Sequence, residues 1–256
     1  MKKKNLIVAI LCLVTLLSFC SKSYAESYTI GVMSLGNSIT IEKLENTKCP
    51  FLFTTEFRLG QDLDWSAQRN ISLAEKISYT GLKIDDIELR PFVKLGKNRF
   101  YSKTQENGYN YDLRSDPNSF YEVGLESILK KWETVNLFAG AAYSNSFYRY
   151  SQYYADDTDY YDGDNRNVKT YNLYFGLSKK IEFINKKTLT PYVGINLIHL
   201  ESIYRCHSEK DYKEKEDGVM GFTGLNYQIF KNATIGLELG YWDRDASATV
   251  SMTLQF

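Results

Sequence analysis

Ala248-Thr249-Val250-Ser251-Met252-Thr253-Leu254-Gln255-Phe256 is the stretch whose reading decides the fold. Side chains of an extended strand point alternately to opposite faces. Ala248, Val250, Met252, Leu254 and Phe256 therefore share one apolar face, and Thr249, Ser251, Thr253 and Gln255 share a polar one. The preceding segment repeats the pattern, with Ile235, Leu237, Leu239 and Tyr241 against Gly236, Glu238 and Gly240. Further back, Phe51, Phe53, Thr55, Phe57 and Leu59 alternate with Leu52, Thr54, Glu56 and Arg58. Leu89, Pro91, Val93 and Leu95 alternate with Glu88, Arg90, Phe92 and Lys94, and Tyr121, Val123, Leu125 and Leu129 with Glu122, Gly124, Glu126 and Ile128. Tyr171, Leu173, Phe175 and Leu177 alternate with Thr170, Asn172, Tyr174 and Gly176. This is a chain of β-hairpins.

A soluble sandwich also alternates, so the connections have to discriminate. Short links fall at Asp85-Asp86, around Lys130 to Glu133, around Asn185 to Lys187 and at Lys231-Asn232. Long polar links are expected at about 60–73, 97–118, 150–167 and 204–217. Tight turns at one end and long loops at the other suit a barrel whose ends face different compartments. The expected fold is all-β: a transmembrane antiparallel up-and-down barrel, ten strands from residue 51 onward, both ends on the turn side. Residues 27–44 could add a hairpin and make twelve. In such a barrel the apolar face meets lipid. Glu56, Arg58, Glu88, Arg90, Lys94, Glu122, Glu126 and Glu238 then point into the lumen, where acids and bases can pair.

The N-terminus supports export. Lys2 to Lys4 precede an uncharged apolar run from Leu6 to Phe19, and Ser23-Tyr24-Ala25 supplies small residues at the positions of a cleavage site. A signal peptide over 1–25, an N-terminal segment or extra hairpin over 26–49 and a barrel over 50–256 are the expected divisions. The apolar run is shorter than the ~20 residues of a spanning helix. Lipidation at Cys20 would follow a bulky Phe19, where a small residue is usual.

The ending Val250-x-Met252-x-Leu254-x-Phe256 resembles the assembly signal of bacterial outer-membrane β-barrel proteins. In that class, alternating apolar residues before a terminal aromatic are read by the barrel-assembly machinery. The resemblance implies insertion by that machinery and contact with outer-membrane lipid and lipopolysaccharide. The general shape is similar to the small OmpA/OmpX-type class, and a monomer is expected.

Charge excludes one class of partner. The chain carries 31 basic and 31 acidic residues, and four of the lysines lie in the first 25 positions, where there is no acid. The remainder is net acidic, unlike a nucleic-acid binder with its basic stripe. Cys49 and Cys206 are the cysteines beyond the leader. The layout puts them at opposite ends of a wall about 25 Å tall, so no disulfide is expected between them, because bridged Cα atoms lie within about 7 Å.

Catalytic signals are sparse. Asp156, Asp157, Asp159, Asp162 and Asp164 crowd one external loop with Tyr153, Tyr154, Tyr160 and Tyr161. These carboxylates are weak candidates for a hard cation, because the spacing matches no EF-hand and a solvated acidic loop explains it. Asp62-Leu63-Asp64-Trp65 resembles the Asp-x-Asp-Trp element of omptin proteases, which are ten-stranded barrels. That resemblance implies a water-activating acid pair, but the family's Asp-x-His element has no counterpart here. His199 lies within a strand as a packed or wall-facing residue, and His199-Leu200-Glu201-Ser202 has the wrong spacing for a lipid A deacylase pair. No Gly-x-Ser-x-Gly element and no zinc signature occur. The expected function is therefore non-enzymatic and free of cofactors: a barrel with a side-chain-filled lumen and loops for surface contacts. The alternatives are a narrow channel for small polar solutes and a surface protease or lipid A-modifying enzyme.

Overall fold

The computed structural model describes residues 49–62, 69–106, 109–154, 161–183, 187–205, 212–242 and 245–255. The leader, the 27–44 segment and Phe256 lie outside them. Thirteen strand segments make one antiparallel sheet: β1 (Phe51–Asp62), β2 (Arg69–Tyr79), β3 (Leu82–Ile84), β4 (Ile87–Glu106), β5 (Tyr109–Ser115), β6 (Asn118–Lys131), β7 (Val135–Tyr154), β8 (Tyr161–Lys179), β9 (Ile181–Glu182), β10 (Thr188–Arg205), β11 (Tyr212–Phe230), β12 (Ala233–Trp242) and β13 (Asp245–Gln255). They form a closed barrel of ten strands. β5 and β6 occupy one position between β4 and β7, broken at Asp116-Pro117, while β3 and β9 are short additions at the turn end.

Closure is direct. β1 pairs with β13 from Leu52 opposite Gln255 to Asp62 opposite Asp245. No extra hairpin fits in the wall between them, so ten is the number and twelve is not. Closing the sheet leaves no open strand edge, so the wall backbone pairs within the protein as hydrocarbon requires. Turns at Asp85-Asp86 and Lys231-Asn232 mark one end. Asp85 takes φ of 51°, a left-handed conformation that a short polar side chain tolerates.

The expectation of long loops needs correction. Most of 97–118, 150–167 and 204–217 is strand: β4 and β5 approach to Glu106 and Tyr109, β7 and β8 to Tyr154 and Tyr161, and β10 and β11 to Arg205 and Tyr212. The reason is chemical. Beyond the apolar belt both faces of a ribbon are polar, so the period-2 hydrophobic signal vanishes while the hydrogen-bonded ladder continues.

The outer face carries that belt. Phe57, Leu73, Val93, Leu125, Leu173, Leu197, Val219, Leu237 and Val250 are all exposed. Tyr121, Tyr143, Tyr171 and His199 stack side by side along its loop-end border, with ring centroids 6.1, 5.2 and 5.8 Å apart. An apolar band edged by aromatic rings is the surface of a membrane barrel. Within the belt, Glu75 interrupts the apolar face of β2 between Leu73 and Ile77, and the Thr55 hydroxyl donates to it at 2.9 Å.

Candidate functional site

The polar faces of the strands converge on the axis. Glu56, Arg90, Lys94, Glu122, Glu126 and Glu238 are buried there, and Arg58 and Glu88 are half-buried. Two of their ion pairs, Lys94–Glu56 and Lys76–Glu126, skip over a neighbouring strand. Lys94 on β4 reaches Glu56 on β1 and Glu122 on β6, each at 3.2 Å. Lys76 on β2 pairs with Glu126 on β6. Arg90 lies 3.3 Å from Glu88, which Lys131 also reaches at 2.7 Å near the turn end. Charges removed from water need such partners, because an unpaired one would cost several kcal/mol.

Aromatic side chains fill the remaining space. Tyr174 donates its hydroxyl to Glu126 at 3.3 Å, and Tyr192 donates to Glu238 at 2.9 Å. The Lys76 ammonium sits 4.3 Å from the centroid of the Phe92 ring. Phe138, Tyr192 and Phe222 meet one another at centroid distances of 6.3 Å. These rings lie over glycines on the neighbouring strands. Phe138 faces Gly176 and Tyr174 faces Gly140 across β7 and β8, and Tyr192 faces Gly224 and Phe222 faces Gly194 across β10 and β11. A Cβ on Gly140 would fall 2.3 Å from the Tyr174 ring. The missing side chain on one strand is the room for the ring on the next.

A second group is buried in the loop-end half. Phe100, Tyr148, Val168 and Leu200 form a buried cluster. Asn98 donates to the Tyr148 hydroxyl at 2.8 Å, and Arg166 donates to Ser202 at 2.6 Å. Toward the turn end, Thr54 and Thr253 bond at 2.9 Å and the Gln255 amide donates to the Cys49 carbonyl at 2.8 Å. The lumen is thus packed in ionic, aromatic and hydroxyl layers along its length.

Outside, where β10 and β11 project past the belt, a charged cluster lies open to water. His199 Nδ1 is 2.6 Å from Asp217, and Lys215 Nζ is 2.7 Å from Glu201. The hydrogen bond from Lys215 holds the Glu201 carboxyl below the usual range, and the same bond holds the Lys215 ammonium above its own.

The alternation set Tyr174 on the inward row without giving it a role, and it missed Lys76 and Tyr192 as lumen groups. β2 shows why: Glu75 and Lys76 are adjacent, so each face of that strand carries one charge and the alternation is blurred. Of the assembly-signal residues, Val250 and Met252 face outward, Leu254 is half-buried opposite Phe53, and Phe256 lies outside the described residues. Asp156, Asp157 and Asp159 also lie outside them, while Asp162 falls on β8 opposite Ser151 and Asp164 opposite Tyr150. Among the described residues no group of His, Cys, Asp and Glu could hold a metal ion. Asp62 ends β1, but Asp64 and Trp65 are not described, nor are Cys206 and His207.

No family model matches the chain, and no curated protein matches it. Solved structures do. The beta domain of the Bordetella autotransporter BrkA is similar over 81% of this chain and 99% of its own, with 11% identity and a TM-score of 0.51. The translocator domain of the autotransporter NalP from Neisseria meningitidis covers 83% of this chain and 91% of its own, with 8% identity and a TM-score of 0.46. The outer membrane protease OmpT from Escherichia coli covers 82% and 98%, with 8% identity and a TM-score of 0.42. The likenesses concern fold alone. By fold, then, this chain is a closed ten-stranded antiparallel β-barrel of the kind seen in the outer-membrane domain of BrkA.

Proposed function

We propose that the chain is a monomeric outer-membrane protein whose barrel is a sealed scaffold. It conducts no solute, catalyses no reaction and presents its projecting rim for contacts outside the cell. The carrying observation is the filled lumen: Lys76, Lys94, Tyr148 and Tyr174 are each at most 1% exposed although they point at the barrel axis. A water-filled pore would leave such side chains accessible, and open channels belong to barrels of about 16 strands or more. The signal-like leader and the terminal apolar alternation support delivery to that membrane by the assembly machinery.

Planar-bilayer recording tests the reading. The purified barrel should insert without producing stable single-channel steps, and reproducible ohmic steps would overturn it. The non-enzymatic part is tested by a peptide-cleavage screen. Cleavage abolished by Asp62→Ala or Asp64→Ala would overturn that part alone.

A further inference from the structure

Three cations stand together on the outer wall, just above the belt on β2 and β4. The register sets Arg69 opposite Tyr101, Ile71 opposite Arg99 and Leu73 opposite Lys97. Arg69, Lys97 and Arg99 are all exposed on the outward face. Directly toward the membrane lie Leu73 and Leu95, 56% and 60% exposed, with Tyr121 beside them on β6. Arg99 is oriented: its Nε donates to the Ser115 carbonyl at 3.2 Å, and its guanidinium lies 5.1 Å from the Tyr101 ring centroid.

Among the described residues none of the three has a carboxylate partner within ion-pair distance. The nearest acid on β2, Glu75, sits lower in the belt and accepts from Thr55. Asp116, at the break between β5 and β6, is an exposed acid near this face. The far side of the barrel differs. There, at the same border, Lys215 and His199 are matched by Glu201 and Asp217. Among the described residues, then, one arc of the border is neutralised within the protein, and the other presents positive charge above Leu73 and Leu95, with Glu75 opposite Leu95 one step further into the belt.

Charge above an apolar wall is the complement of an anionic head above acyl chains. Guanidinium groups suit phosphate because their planar forks bond two oxygens at once. We infer that Arg69, Lys97 and Arg99 form a docking site for the phosphate groups of a phosphorylated glycolipid, whose acyl chains lie over Leu73 and Leu95. The inference rests on the outer-membrane reading and on the loop end facing outward.

The test uses the whole barrel refolded into phosphatidylcholine vesicles doped with bis-phosphorylated lipid A, followed by extraction and quantification of the lipid retained. Wild type should enrich lipid A over phosphatidylcholine. Arg69→Gln/Lys97→Gln/Arg99→Gln should lower that enrichment by about tenfold or more, as expected for three interfacial cations. Lys215→Gln combined with Lys169→Gln, whose position on β8 lies opposite Glu201 on the far arc, should leave it unchanged, and inorganic phosphate should not compete. Dephosphorylated lipid A should not be enriched. Equal retention by wild type and the triple variant, an equal loss in the double variant, or undiminished enrichment of dephosphorylated lipid would each overturn the site. Heat-modified gel mobility confirms that each variant is folded, and Lys97→Gln alone should show a partial loss if the triple variant is not. Channel steps in the bilayer experiment would defeat the sealed-scaffold reading and leave this site standing, so the two fail separately.

Discussion

Lys76 shows how much the lumen depends on single partners. Its ammonium is enclosed by Glu126 and the face of Phe92, and its side chain is 1% exposed. Lys76→Met leaves Glu126 buried with only the Tyr174 hydroxyl, and should destabilise the barrel by about 3–5 kcal/mol. The double change Lys76→Met/Glu126→Leu removes both charges and should recover most of that loss. Urea titration in vesicles, followed by tryptophan fluorescence, measures both, and a double variant no better than the single one would contradict the argument. Glu75 is the opposite case, an acid on the lipid face. Glu75→Leu should raise stability in the same assay by up to about 2 kcal/mol, since charged groups at that depth are disfavoured. The sequence made the lumen charges legible wherever a strand had one clean polar face, as at Glu122 and Glu126. It failed at Glu75-Lys76, where each charge masks the other's face.

Between neighbouring strands the governing device is the ring set over a glycine. The pairs Phe138–Gly176 and Tyr174–Gly140 lock β7 to β8, and Tyr192–Gly224 and Phe222–Gly194 lock β10 to β11. Gly140→Ala places a methyl group where the Tyr174 ring lies and should cost about 1–3 kcal/mol. Adding Tyr174→Leu should relieve part of that cost, read as the temperature at which heat-modified mobility is lost. Two penalties that simply add would show that the ring and the glycine are not coupled. Binary alternation could not reveal this pairing. It sorts residues into apolar and polar faces, and there Phe92 and Tyr174 look like misfits on a polar row. Register supplies the missing information, because only the ladder says which glycine stands opposite which ring. The same blindness explains the strand extensions: where both faces are polar, pattern carries no signal, though backbone pairing persists.

At the scale of the molecule, strand length is uneven. β4 and β7 have 20 residues each, whereas β12 has 10 and β2 has 11. At about 3.3 Å per residue and a tilt near 40°, a 20-residue strand rises about 50 Å, roughly twice the height of the membrane wall. A shorter one barely clears it. Cysteine placed in a cysteine-free background should report this: Lys213→Cys should react with a membrane-impermeant maleimide in vesicles, and Val219→Cys and Leu225→Cys should not. Equal labelling at 213 and 219 would move the belt from where the exposed residues place it. Closure at β1 and β13 was legible from the number of hairpins; the height of the wall was not.

That unevenness gives the protein a front and a back. The tall strands from β4 to β11 stand like the back of a chair, and the short arc of β12, β13, β1 and β2 is its open seat. A bulky visitor at the cell surface, such as an antibody domain or a phage fibre, would strike the back from most directions. Among the described residues the rim is lowest on the side of that short arc, and Arg69 stands at its edge.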